Sequence, residues 1–211
     1  MKINAVEFVK YAEKAELIGN DTEITGIATD SGAVKKGALF VCIKGERTDG
    51  HKYAGNAVEN GAVCVLADRK LDINIPYIKV PDTVKALQQA AFGYRKTLDC
   101  KIVGVTGSVG KTTTKEFIAA ALSSQLSVHK TDGNKNSETG VPITVLGIEK
   151  TDDAAVVEMG MSGLGEISLL SKIARPDIGV ITNIGYSHIE HLKTRENILR
   201  AKTEIIDGMT D

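Results

Sequence analysis

The stretch VGVTGSVGKTTTKEF, Val103 to Phe117, contains the residues whose types and spacing best suit chemistry. It ends as phosphate-binding loops do, with Gly110, Lys111 and Thr112, although its first glycine, Gly107, lies closer to Gly110 than in the usual motif. A strand that leads through a glycine-rich turn into a helix directs backbone N–H groups at an anion. The stretch therefore predicts nucleotide binding; the alternative is a glycine turn that only begins a helix.

Each residue type in this loop has a chemical reason. The two glycines let the backbone approach a phosphate closely. Lys111 supplies a point charge for the β and γ phosphates, and the Thr112 hydroxyl can reach Mg²⁺. Glu158 follows the apolar run AAVV at the end of a later strand, where ligands collect in open α/β sheets. A Mg²⁺ ligand and a helix-capping carboxylate are both open for this residue.

Two further polar stretches follow predicted strands. The stretch TNIGYSHIEH contains His188 and His191, whose H-x-x-H spacing matches a zinc pair without an evident third ligand, and a surface or capping role is the alternative for His191. The loop from Thr131 to Pro142, TDGNKNSETGVP, is too rich in Asn, Gly and Ser for regular structure, and it either holds a second substrate or only connects. Lys202, taken by itself, is a solvated helix lysine.

The elements that must position these residues form two α/β domains. In residues 1–99, strand-like runs such as GALFVCIKG and AVCVLAD alternate with helical spacing, and one helix begins with Asp82 as its N-cap. In residues 100–211, KIVGVTG, SVHK, AAVVEMG and DIGVITNIG alternate with helices, which predicts a parallel sheet with right-handed crossovers. The last helix, TRENILRAKTEIIDGM, has no strand after it, so we expect this P-loop parallel-sheet domain to be truncated.

Composition excludes several classes of protein. The net charge of the 211 residues is −1 and no basic cluster stands out, so we expect no nucleic-acid partner. No apolar run approaches the length of a membrane span, and the N-terminus has no signal-peptide core. The three cysteines, Cys42, Cys64 and Cys100, lack metal or disulfide spacing, and the first two lie in apolar runs typical of a core. We therefore expect a cytoplasmic protein.

Taken together, the motifs resemble the Mur ligases, the ATP-dependent enzymes that form amide bonds in peptidoglycan synthesis. TGSVGKTTT looks like their compressed P-loop, which normally reads T-G-[ST]-x-G-K-[ST]-[ST]. RAKTEI is similar to the helix whose lysine carries a carbamate in this family. The resemblance covers essentially the whole chain, and three longer stretches add to it: ATDSGAVKKGALFVCIKGERTDGHKYAGNAVENGA, GNKNSETGVPITVL and VVEMGMSGLGEISLLSKIARPDIGVITNIGYSHIEHL.

The resemblance implies a carboxylate–amine ligase that joins D-Ala-D-Ala to UDP-N-acetylmuramoyl tripeptide through an acyl phosphate. It implies a UDP-substrate-binding domain in residues 1–99 and a partial ATP-binding domain in residues 100–211. The ATP phosphates would lie against Lys111 and the loop Gly107, Ser108, Gly110, Thr112 and Thr113. The implied Mg²⁺ ligands are Thr112, Glu158, His188 and a carbamylated Lys202, and the implied catalytic residues are Lys111, Lys202 and His188. The implied substrate-binding residues are Ser31, Gly45, Asp49, His51, Asn134, Asn136 and Ser137.

The chain departs from the family pattern at three points. Gly32 follows Asp30 and Ser31 where the family often has arginine, which removes a charged or stacking contact to the uridine nucleotide. Ser137 replaces the second of two paired asparagines. Family members also continue through the rest of the ATPase domain and a C-terminal domain that helps bind the amine, so we expect this chain to be inactive alone.

Two other functions remain open. The first is the family member that adds the third stem-peptide residue, although its segment is expected to read more like E-V-S-S-H where this chain reads EMGMS. The second is a non-catalytic module that binds nucleotide and has lost the ligase activity. The related folylpolyglutamate synthases fit less well, because the stretch GERTDGH argues against them.

Overall fold

The computed structural model describes residues 2–45 and 48–209, which divide into two compact units between Ala90 and Ala91. The division falls inside a helix, Thr83–Arg95, that begins as predicted, because the Asp82 carboxylate accepts the Lys85 N–H at 2.9 Å. The boundary between residues 99 and 100 stays a prediction about the domains. No helix in the described ranges is long and apolar enough to cross a membrane.

The first unit is a small α/β fold. Its elements are β1 (Ile3–Asn4), α1 (Ala5–Tyr11), β2 (Glu16–Ile18), β3 (Glu23–Ile24), β4 (Gly26–Ala28), β5 (Ala38–Val41), α2 (Ala54–Glu59), β6 (Ala62–Ala67), β7 (Tyr77–Lys79) and the beginning of α3 (Thr83–Arg95). Five strands form one sheet in the order β2-β7-β6-β5-β4, in which only β2 runs antiparallel. The strand β5 is buried throughout and β6 nearly so, which explains their continuous apolar sequences. Cys42 and Cys64 lie in this core, as predicted, and burial raises the pKa of each thiol to about 12.

The second unit carries the predicted alternation of strands and helices. Its elements after α3 are β8 (Lys101–Thr106), α4 (Lys111–Leu122), β9 (Val128–Lys130), α5 (Gly140–Gly147), β10 (Ala154–Glu158), α6 (Glu166–Ala174), β11 (Ile178–Ile181), α7 (Ile189–Leu192) and α8 (Arg195–Thr203). The four strands pair in the order β11-β8-β10-β9, all parallel, which confirms the predicted parallel sheet. Their carboxyl ends therefore meet at one edge of the sheet, and the loops that follow them define the site.

Two boundaries differ from the sequence prediction. The loop predicted from Thr131 to Pro142 ends early, because α5 begins at Gly140 and Pro142 lies in its first turn, where a missing N–H costs nothing. The last predicted helix stops as an α-helix at Thr203 and continues as 3₁₀ turns over Glu204–Gly208. Both differences lie at helix ends, where local hydrogen bonding decides the boundary.

Candidate functional site

The loop between β8 and α4 has the predicted strand–loop–helix form, and its glycines are required by geometry. Gly107 has φ +147°, and a Cβ on it would lie 1.9 Å from Thr182 Oγ1. Gly110, directly before the helix, has φ +81° with open space around it. The first glycine is therefore fixed by a close approach and by its backbone angle, and the second by its backbone angle alone.

Hydrogen bonds from the segment after β11 and from α4 hold the loop in shape. The Asn183 side-chain oxygen accepts the N–H groups of Ser108 and Val109 at 3.2 and 3.0 Å. The Ser108 hydroxyl accepts the Gly185 N–H at 2.9 Å. Lys111 Nζ donates to the Gly107 carbonyl at 3.0 Å, so its ammonium lies over the loop where a phosphate would bind.

Glu158 ends β10 as a buried carboxylate, only 1% exposed, with one oxygen engaged. Its Oε1 accepts the Asn136 side-chain amide at 2.8 Å, and its backbone N–H donates to Thr131 Oγ1 at 2.9 Å. Among the described residues, Oε2 has no hydrogen-bond partner. A buried carboxylate oxygen without a partner requires an explanation, and a hard divalent cation is the ligand that such an oxygen prefers. The residues present therefore fit Mg²⁺.

One cavity of about 510 Å³ brings several of the predicted residues together. Lys111, Asn136, Ser137 and His188 line it, together with residues of the segment before α6 and of that helix. His188 has φ +61°, a left-handed conformation that is uncommon outside glycine and that clusters at functional sites. Asn134 is exposed and is not among the lining residues, so the structure separates it from its neighbour Asn136.

Lys202 is not the solvated helix lysine that its local sequence suggests. Its side chain is 2% exposed in α8. Burial, and then repulsion from the charge of Lys111, lower the pKa of Lys202 to about 8. The lysine that resemblance alone singled out is therefore unusual on physical grounds as well.

The residues predicted to bind substrate in the first unit, Ser31, Gly45, Asp49 and His51, all lie in turns that are held by hydrogen bonds of their backbones or side chains. His51 is held through both ring nitrogens: Nδ1 lies 2.5 Å from Asp49 Oδ1, and Nε2 accepts the Asp68 N–H at 3.2 Å. The hydrogen bonds from the His51 side chain and backbone lower the pKa of Asp49 to about 2. Both residues thus shape the turn before α2.

The other two residues lie in tight turns. Ser31 begins a 3₁₀ turn in which the Asp30 carboxylate accepts the Gly32 N–H at 2.9 Å, so Gly32 takes part in the turn through its backbone. The Gly45 N–H donates to the Thr48 carbonyl at 2.9 Å. Glu46 and Arg47, which belong to the stretch GERTDGH, lie outside the described residues.

Sequence reasoning missed four residues of the site: Thr131, Thr182, Asn183 and Lys115. Lys115 had a visible signal, because it shares the buried face of α4 with Ala119, four residues on, and a lysine on such a face needs a partner.

In the described ranges, no three His, Cys, Asp or Glu side chains group to hold a metal. Mg²⁺ typically takes one or two carboxylates and completes its shell with phosphates and water, so a single buried Glu158 is compatible with it.

Fold and loop together define the class: an α/β domain with a parallel sheet and a glycine loop of the P-loop type between β8 and α4. The chain belongs to the Mur ligase family, since the Mur ligase middle domain matches residues 105–211 and the Mur ligase family catalytic domain matches residues 23–131.

The similar proteins with curated names are longer than this chain. The UDP-N-acetylmuramoyl-tripeptide–D-alanyl-D-alanine ligase of Bacillus subtilis (strain 168) is 49% identical over 90% of this chain and 42% of its own length. The Escherichia coli (strain K12) ligase of the same name is 37% identical over 93% of this chain and 43% of its own length. The chain thus spans less than half the length of these relatives.

Solved structures of MurF proteins also match this chain over less than half of their own length. A MurF crystal structure from Acinetobacter baumannii superposes with a TM-score of 0.91 at 34% identity, covering 100% of this chain and 47% of that one. The MurF ligase of Thermotoga maritima in complex with ADP superposes with a TM-score of 0.77 at 39% identity, covering 88% of this chain and 43% of that one.

Proposed function

We propose that this chain is the UDP-substrate-binding and P-loop portion of the ligase that joins D-Ala-D-Ala to UDP-N-acetylmuramoyl tripeptide. One observation carries the proposal: Lys111, Asn136 and His188 line one cavity, and Asn136 donates to the buried carboxylate of Glu158, whose second oxygen has no hydrogen-bond partner among the described residues. The proposed reaction is the one that the relatives are named for. The relatives are more than twice as long as the aligned region, so the rest of the proposed enzyme would lie in segments that this chain does not match.

The residues suit transfer of a phosphoryl group to a carboxylate. A carboxylate is a poor acyl donor, so moving the ATP γ-phosphoryl onto it gives an acyl phosphate, which the amine attacks with release of phosphate. Lys111 and the first-turn amides of α4 would hold the phosphates and spread their charge. Thr112 and Glu158 would hold Mg²⁺, which would neutralise part of the phosphate charge.

Lys202 and His188 would hold a second Mg²⁺, with Lys202 as a carbamate. The amine form of lysine is the one that reacts with CO₂, and a pKa lowered to about 8 makes that form more abundant near neutral pH. Carbamylation would turn a buried cation into an anion and remove its repulsion from Lys111. Carbon-13 NMR of protein equilibrated with labelled bicarbonate would show a carbamate signal that Lys202→Met lacks.

Calorimetric titration with UDP-N-acetylmuramoyl tripeptide, and with the dipeptide form as control, tests the substrate. Preferential binding of the tripeptide is the expected result, and it would also show that Gly32 is tolerated in place of arginine. Preference for the dipeptide would point to the ligase that adds the third residue. Binding of Mg·ATP without either uridine nucleotide would favour the non-catalytic module.

Lys111→Ala tests the nucleotide site in the same calorimeter. Loss of the phosphate-facing charge should weaken ATP by about 30-fold, or about 2 kcal/mol. Unchanged ATP affinity would refute the P-loop assignment.

We expect the 211-residue chain to bind both ligands but not to catalyse ligation, because the relatives devote more than half of their length to other segments. Robust ligation by the purified chain would contradict this expectation.

A further inference from the structure

Lys115 is a buried ammonium whose contacts converge on the end of the sheet that carries the site. Its side chain is 1% exposed, and Nζ donates to the carbonyls of Thr131 at 2.8 Å and Gly133 at 3.4 Å. Nζ also lies 3.1 Å from Glu116 Oε1 and 3.9 Å from Glu158 Oε2. The three protons of the ammonium are therefore used by two carbonyls and Glu116, while its charge still acts on Glu158.

The oxygen that faces this charge is the one that a metal ion would take. Glu158 Oε1 is occupied by Asn136, and Oε2 has no hydrogen-bond partner among the described residues. The ammonium is too far from Oε2 for a hydrogen bond but close enough for a strong Coulomb interaction in a buried setting. A cation bound at Oε2 would consequently lie within a few ångströms of a fixed positive charge.

Next to Glu158, lysine charges offset the carboxylate charges that would attract a bare cation. Glu116 contacts both Lys115 and Lys130, so these two carboxylates, Glu116 and Glu158, are matched by two lysines. Lys115 cannot swing away when a cation enters, because its side chain is enclosed and its carbonyl partners belong to the backbone. Lys111 lines the same cavity as Asn136, the partner of Glu158 Oε1, and adds a further positive charge.

We propose that Lys115 makes metal binding at Glu158 conditional on the nucleotide, because its fixed charge cancels that of Glu158 until phosphate groups arrive. The inference rests on the proposed function, in which Glu158 is a Mg²⁺ ligand. The site accepts the anionic phosphates first or together with their Mg²⁺, and it rejects free divalent cations. Lys115 acts through Glu158 and is a positioning residue.

A purely structural role for Lys115 predicts the opposite effect of removing its charge. If Lys115 only held the Thr131–Gly133 turn and Glu158 in place, its loss would weaken every cation at the site. If its charge excludes free cations, its loss leaves Glu158 uncompensated, and free cations bind more tightly. The sign of the change therefore separates the two roles.

The test measures Mn²⁺ binding by electron paramagnetic resonance, without nucleotide and with a non-hydrolysable ATP analogue. Lys115→Gln keeps a hydrogen-bond donor and removes the charge, and we expect it to tighten nucleotide-free Mn²⁺ binding by about tenfold or more. Lys115→Arg keeps the charge and should bind free Mn²⁺ as weakly as the wild type. Lys172→Gln, which removes the same charge from an exposed position on α6, is the matched control and should change neither measurement.

The outcomes separate this inference from the proposed function. Weaker or unchanged free Mn²⁺ binding by a folded Lys115→Gln overturns the inference, provided that wild-type protein binds Mn²⁺ with the analogue and Glu158→Gln does not. If Glu158→Gln binds Mn²⁺ with the analogue as tightly as the wild type, the metal assignment fails and the inference fails with it. Circular dichroism shows whether each variant is folded, and if Lys115→Gln is not, Lys115→Met replaces it with the same expected sign.

Discussion

At the scale of single residues, the buried charge of Lys202 lowers the stability of the folded protein at neutral pH. Its ammonium is enclosed in α8 and repelled by Lys111, so folding favours the neutral amine. The pKa falls from 10.5 in the unfolded chain to about 8 in the folded protein. Below about pH 8 the folded state carries the full cost of the buried charge. As the pH rises from about 8 toward 10.5, the unfolded chain binds more protons than the folded one, and the cost disappears.

Lys202→Met should therefore stabilise the protein at neutral pH and lose that advantage near pH 10. The expected gain in unfolding free energy at neutral pH is about 3 kcal/mol, since each pKa unit corresponds to about 1.4 kcal/mol. Urea unfolding at both pH values, in buffers free of CO₂ to prevent carbamylation, measures it. An equal difference between variant and wild type at both pH values would contradict the assignment of the shifted pKa to Lys202.

Gly107 and Gly110 offer a matched pair for the geometry of the loop. Gly107→Ala would place a methyl group against Thr182 and strain the backbone, with an expected loss of about 3 kcal/mol of unfolding free energy. Gly110→Ala meets open space and should lose only about 1 kcal/mol through its backbone angle. Thermal and urea unfolding of both variants test the difference, and equal losses would show that the close approach to Thr182 can be relieved.

Some of these residues could be predicted from the sequence and others could not. Lys111 and the two glycines belong to a local motif, so their spacing alone was sufficient to predict the strand–loop–helix form. Asn183 and Lys115 act on parts of the chain that are distant in sequence. Strand pairing brings Asn183 to the loop, and packing of α4 on β10 brings Lys115 to Glu158. Long-range contacts of single polar side chains have no periodicity that a sequence pattern can reveal.

At the scale of elements, the end of β11 acts as a support for the loop after β8. The two strands pair in parallel, with Ile181 opposite Thr106, so the residues that follow them lie side by side. Asn183 accepts two loop N–H groups, and the Thr182 hydroxyl donates to the Val109 carbonyl at 2.6 Å. The conformation of the loop between β8 and α4 thus depends on residues that follow a strand far along the chain.

Asn183→Ala should loosen the loop without unfolding the sheet. Loss of the side-chain acceptor frees the Val109 N–H, so hydrogen exchange at Val109 should accelerate by about tenfold. The Ser108 N–H also donates to the Asn183 backbone carbonyl at 3.1 Å, which the substitution keeps, so its exchange should change less. Asn183→Asp keeps an acceptor oxygen and should retain the protection. Asn197→Ala removes an asparagine whose amide bonds to Leu192 instead, so it is the control. Exchange at the loop that stays unchanged in Asn183→Ala would show that Thr182 alone supports it.

The order of helices and strands was predictable because apolar runs and helical spacing are local signals. The parallel sheet followed from their alternation, and β8 and β10 are indeed buried almost throughout. The helix α5 was missed because a loop rich in glycine and asparagine precedes it and a proline lies within it. Its beginning depends on Ser137, whose carbonyl accepts the Val141 N–H at 2.9 Å, and composition does not reveal such a contact.

At the scale of the whole molecule, the chain consists of two α/β units and belongs to the Mur ligase family, whose members from Bacillus subtilis and Escherichia coli are more than twice as long as the aligned region. The second unit supplies the loop, Glu158, His188 and Lys202, while the first unit supplies a separate α/β fold with its own engaged residues. The relatives extend well beyond the aligned region. The sheet of the second unit has an edge strand, β11, and an exposed edge strand can associate with another chain.

The edge strand β11 predicts such an association. Among the described residues it pairs only with β8, and Ile178 is 56% exposed at its beginning, so its outer edge can pair with a second copy. We expect the molar mass measured by light scattering to rise with concentration, and Ile178→Lys to suppress the rise. Leu126→Lys, which changes a 41% exposed apolar residue after α4, should leave it intact. A constant monomeric mass for the wild type, or equal suppression by both variants, would show that β11 does not drive association.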